Sequence, residues 1–71
     1  MANVTAHIAG TVWKLECKVG DTLEEGDTVA ILESMKMEMP VETEEAGTVE
    51  EIVVSEGDTV NEGDVLVVLA G

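Results

Sequence analysis

Ala9-Gly10-Thr11-Val12 recurs 37 positions on as Ala46-Gly47-Thr48-Val49, Gly20-Asp21-Thr22 as Gly57-Asp58-Thr59, and Glu25-Gly26-Asp27 as Glu62-Gly63-Asp64. Beyond these the match holds in character, with Val29 falling on Leu66, Ile31 on Val68 and Leu32 on Leu69. Self-similarity at a fixed spacing means one supersecondary unit written twice. Each copy runs from an Ala-Gly turn through an apolar run to a Gly-Asp corner, then through a few polar residues to a second corner and a second apolar run. Short apolar runs bounded by Gly and Asp mark strands and turns. The expectation is an all-β fold of two antiparallel sheets packed face to face, each half lending strands to both, with the halves related by a pseudo-twofold axis.

Seventy-one residues make one domain, 1–71, and are too few for two cores. A single cysteine, Cys17, allows no internal disulfide, so packed Val, Ile, Leu and Met must supply the stability. A hydrophobic content of 45% is too high for a solvated coil, so the chain should fold alone. No stretch approaches a membrane span, and the start Met1-Ala2-Asn3-Val4 lacks the basic and apolar regions of a signal peptide. A cytoplasmic protein is expected. The net charge of −13, with three lysines and no arginine, leaves nothing to neutralise a phosphate backbone or an anionic membrane. The acidity reads as self-repulsion that keeps the chain soluble and monomeric.

In the first half Trp13, Leu15, Cys17 and Val19 alternate with Lys14, Glu16 and Lys18, a period of two that turns the first set inward. Cys17 is thereby a small core residue rather than a nucleophile. Glu50 stands where Trp13 stands in the other half, so that position is a rim and not deep core. Gly20, Gly26, Gly57 and Gly63 suit corners of positive φ, and each following Asp can bond its own turn. The acids are spread over separate corners, unlike a calcium loop. His7 has no ligand companions and reads as an ordinary strand residue. Pro40 cannot donate to a ladder and predicts an edge or bulge.

Between the halves lies Glu33-Ser34-Met35-Lys36-Met37-Glu38-Met39-Pro40, which has no counterpart in the repeat and follows the strand Thr28–Leu32. With strands on both sides and no long loop, Met35-Lys36 is the tip of a tight hairpin. Such tips favour Asn-Gly, because positive φ costs other residues about 1–2 kcal/mol, and a tolerated local cost is a mark of function. An exposed lysine on a rigid protrusion is what an enzyme needs if it is to acylate that amine. Lys14 and Lys18 read instead as solubilising charges in mid-strand. Glu33 and Glu38 favour the ammonium form, so the tip does not activate its own lysine. Met37 and Met39 fit packing and recognition about equally, whereas Met35 at the tip is hard to bury.

This stretch resembles the Met-Lys-Met motif of the biotinyl/lipoyl attachment family, and nearly the whole chain resembles the free-standing members of that family. The resemblance implies a flattened barrel-sandwich hybrid of two four-stranded sheets with the modified lysine on an exposed hairpin. It further implies a non-catalytic biotin carboxyl carrier. A biotin protein ligase would join biotin to Lys36 by attack of its amine on biotinyl-adenylate, reading Met35 and Met37. The biotin would then carry a carboxyl group between biotin carboxylase and carboxyltransferase sites on other chains. A lipoyl carrier loaded with lipoate by a lipoyl ligase is the second reading, although lipoyl tips resemble Asp-Lys-Ala. An unmodified interaction module is the third. The chain lacks the thumb-like insertion of larger carriers between Gly10 and Gly20.

Overall fold

The repeat read from the sequence reappears strand by strand in the computed structural model, which describes residues 2–70. The strands are β1 (Ala2–Thr5), β2 (Gly10–Leu15), β3 (Thr22–Leu23), β4 (Thr28–Ser34), β5 (Met37–Glu42), β6 (Gly47–Ile52), β7 (Thr59–Val60) and β8 (Val65–Ala70). One sheet has the order β1-β8-β6-β3 and the other β5-β4-β2-β7. Shifting by half a chain turns β1 into β5, β8 into β4, β6 into β2 and β3 into β7, which converts one order into the other. All the pairings are antiparallel. Each half therefore completes both sheets, and neither half has a sheet of its own to bury.

The irregularities repeat as faithfully as the strands. The β2–β4 register slips between Val12 and Lys14 and the β6–β8 register between Val49 and Glu51, so Trp13 and Glu50 are the extra residues of twin bulges. The β4–β5 register slips between Thr28 and Ala30, leaving Val29 extra, and β1–β8 slips at the matching place beside Leu66. Both Val29 and Leu66 are nonetheless fully buried. A bulge lets them turn inward beside Ala30 and Val67, so each strand end sends two adjacent apolar side chains into a small core. Val12, Leu32, Val49, Leu66, Val67 and Leu69 fill that core with Val29.

Four corners share one construction. Gly20, Gly26, Gly57 and Gly63 hold φ of 96°, 93°, 96° and 92°. The Asp that follows each glycine accepts from the backbone N–H three residues back: Lys18 to Asp21 and Glu24 to Asp27 at 2.9 Å, Ser55 to Asp58 at 2.9 Å, Asn61 to Asp64 at 2.8 Å. The Asp N–H returns a bond to the carbonyl of that same residue at 3.0 Å.

This corner corrects two expectations. Val19 does not turn inward: it is 63% exposed, because β2 ends at Leu15 and Val19 occupies the corner position held elsewhere by Glu25, Glu56 and Glu62. Lys18 likewise opens a corner rather than lying in mid-strand. On the edge of β2 beyond the short β7, the Leu15 N–H donates to Glu56 Oε2 at 3.0 Å, a contact between the halves. Cys17 is buried as expected, and desolvation, aided by the Asp21 carboxylate, pushes its thiol up from the ordinary range. His7 is exposed in a bend after β1 and is not a strand residue. No helix among the described residues is long and apolar enough to cross a membrane. Two like halves with the tip between them lead one to expect Met1 and Gly71 at the end of the molecule opposite Lys36, and both termini lie outside the described residues.

Candidate functional site

β4 and β5 pair without interruption from Ile31↔Pro40 to Ser34↔Met37, which leaves Met35 and Lys36 as a two-residue turn. Both have positive φ, 52° at Met35 and 65° at Lys36, and they are the described residues other than glycine that do. Paired left-handed residues give the turn whose twist matches that of the strands, at a cost that Asn-Gly would avoid. The hairpin has the geometry expected from the sequence and keeps it with residues chosen for something other than turn propensity. β5 is an edge strand, which is where Pro40 is tolerated.

The tip is open on every side. Lys36 is exposed, and Met35 at 92% and Met37 at 61% are more accessible than a packing role requires. Met39 is half-buried and Val41 buried, so the inward face of β5 grades from solvent to core along its length. Glu33 and Glu38 face each other in register, but neither forms an ion pair with Lys36. Lys14 does pair, with Glu16 at 3.6 Å. Lys36 thus combines exposure, a protruding rigid backbone and an amine free of partners. A group joined to it through an amide would meet no wall of this protein, so these residues fit a covalently tethered prosthetic group.

Sequence reasoning missed why Ala-Gly is repeated. A Cβ on Gly10 would lie 2.7 Å from the backbone oxygen of Glu33, and one on Gly47 would lie 3.0 Å from that of Ala70. β2 and β4 approach that closely at the base of the hairpin, which plants the tip on the rest of the sheet. Two glycines recurring in step were the signal, although the Ala-Gly pairs read as turns and Gly10 and Gly47 instead open strands β2 and β6.

A small double β-sheet that holds an exposed lysine, without an ion-pair partner, on a stiff two-residue turn has the build of a carrier domain. Residues 1–69 match the family model described as "Biotin-requiring enzyme", and the chain belongs to that biotin/lipoyl attachment family. It is a non-catalytic carrier domain of a family whose cofactor is covalent biotin, and its relatives include proteins named as biotinylated. The biotin/lipoyl attachment protein of Bacillus subtilis is 55% identical over 38 residues, which is 54% of this chain and 52% of that protein. The methylmalonyl-CoA carboxyltransferase 1.3S subunit of Propionibacterium freudenreichii is 54% identical over 35 residues, 49% of this chain and 28% of that one. The chain therefore spans about half or less of the length of these relatives. Among solved structures, the urea carboxylase of Kluyveromyces lactis superposes with a TM-score of 0.91 at 38% identity, over 97% of this chain and 6% of that one.

Proposed function

We propose that this chain is a biotin carboxyl carrier in which Lys36 is the biotinylated residue. The observation that carries the reading is the hairpin tip, where Met35 and Lys36 stand exposed in strained left-handed backbone that the repeat does not supply elsewhere. The Lys36 amine forms the new N–C bond to an activated biotin carboxyl group, the leaving group departs from that carbon, and the proton passes to a base of the biotin protein ligase. Among the described residues no base contacts the Lys36 amine, so the ligase provides one. Biotin supplies a ureido nitrogen that accepts and releases a carboxyl group. The protein body supplies stiffness, because a rigid hairpin holds the tether at high local concentration before partner sites. Biotin carboxylase and carboxyltransferase subunits are the partners that fit, and relatives named as carboxylase components support them.

Intact mass tests the reading directly. Protein produced with a biotin ligase and biotin should gain the mass of one biotinyl group, with tandem fragmentation placing it on Lys36; an unmodified chain overturns the proposal.

Lipoyl loading is the second reading, and the name of the Bacillus relative favours weighing it. Ligase choice is a difference of two affinities. If a biotin ligase reads the thioethers while a lipoyl ligase expects a carboxylate before the lysine, Met35→Asp lowers biotinylation and raises lipoylation, each by roughly tenfold, the effect of about 1.4 kcal/mol. Initial rates with each purified ligase measure this. Equal rates for wild type and variant would mean that both enzymes read hairpin shape alone.

A further inference from the structure

The two halves diverge on their outer faces. On the sheet that carries Lys36, Pro40, Ile31 and Lys14 stand side by side in register, with Trp13 bulging between the Val12 and Lys14 pairings. The twofold-related row on the other sheet is Asn3, Val68 and Glu51, with Glu50 in the bulge. A fold that repeats its strands, bulges and corners has thus replaced a carboxylate by an indole on one face only. Trp13 is 48% exposed and is the sole aromatic residue of the chain. Nothing in the core requires it, since Glu50 fills the equivalent bulge without loss of the fold.

The register gives the span from this indole to the tip. Trp13 lies level with Leu32 and Ile31, two to three residues before β4 ends at Ser34, and the two-residue turn adds about one more rise to Lys36. At ~3.3 Å per residue, with β2 ~5 Å to the side of β4, the span is roughly 13 Å. From the Lys36 Cα to the biotin ring system there are about eleven bonds, five in the lysine and six through the amide and valeryl chain. At ~1.5 Å per bond in a zigzag the arm covers roughly 14 Å, with the bicyclic ring beyond. Arm and span agree. The ring offers a flat ureido face and a thioether, and sulfur makes favourable contacts with aromatic rings.

We propose that Trp13, with Ile31 and Pro40 beside it, is a resting site for the tethered biotin ring between visits to partner enzymes. This rests on the biotinylation of Lys36 proposed above. The arm lies along the outer face of β4 with its ring against the indole, and it leaves when a partner's pocket offers deeper burial. The contact is weak by design of the surface, because a half-exposed indole without flanking walls cannot enclose the ring.

The chain reports on itself, since all its tryptophan emission comes from Trp13. Unmodified and ligase-loaded full-length protein are compared by acrylamide quenching and by nuclear Overhauser contacts, with intact mass confirming the loading. In the loaded form the quenching constant should fall roughly twofold, with contacts between indole protons and the biotin ring. In loaded Trp13→Glu, which copies the residue of the other half, the ring resonances should move to those of free biotinyl-lysine. A loaded chain with unchanged quenching and no indole contact, or with ring contacts only to the Met35 and Met37 methyls, overturns the resting site and leaves the carrier function standing. A chain that takes up no biotin overturns both.

Discussion

Lys36→Arg should abolish biotin incorporation altogether while the protein remains folded. Arginine keeps the positive charge, so the electrostatics of the tip do not change, but its guanidinium is never deprotonated and cannot act as the acyl acceptor. The side chain at this position is exposed and has no ion-pair partner, so no packing is lost. Arg pays the same left-handed backbone cost that Lys already pays at φ 65°. Stability should stay within about 0.5 kcal/mol of wild type. Mass spectrometry after exposure to biotin ligase measures the first claim and urea titration the second. Label surviving on Lys14 or Lys18 would reassign the site. Neither offers the same access: Lys14 is paired with Glu16 against the body of the sheet, and Lys18 has its backbone tied into the Asp21 corner. Unfolding of the variant would make Lys36 a structural residue.

The corners and the tip were legible in the sequence because each is a local device. Positive φ at Gly20 and the Asp21 bond to the Lys18 N–H depend on four consecutive residues, and the same four-residue pattern occurs at each corner. Met35-Lys36 was legible for the opposite reason, as a pair that violates turn preference between two clear strands. The fate of Val19 was not legible. Alternation carried the strand reading past Leu15, whereas the chain there runs into a corner whose Gly20 N–H bonds the Val49 carbonyl of the other half. Trp13 was legible as a rim residue only because the repeat set Glu50 against it; the bulge that turns it outward is a property of β2 and β4 together. The closeness of Gly10 to Glu33 is likewise a distance between strands, which composition and period do not encode.

That distance carries the second large effect. Gly10→Ala places a methyl group 2.7 Å from the Glu33 carbonyl oxygen and 3.5 Å from the Ser34 Cβ. The first neighbour is backbone and cannot rotate away, so β2 or β4 must move. Overpacking of this kind costs about 1–3 kcal/mol, a large share of what so small a domain has available. Gly47→Ala is the internal control, because the pseudo-twofold axis puts it in the same place. Its methyl group would lie 3.0 Å from the Ala70 carbonyl oxygen and 3.2 Å from the Leu69 Cβ. That contact is looser, and Ala70 is the last residue of β8, whereas Glu33 leads into a hairpin paired on its far side with Glu38. Gly10→Ala should therefore lose more stability than Gly47→Ala in denaturant titration. It should also lower amide protection selectively in β4 and β5, since the strain enters at the base of the tip. Equal losses would mean that the strands yield alike at both ends, and that the close approach at Gly10 does not set the position of the hairpin.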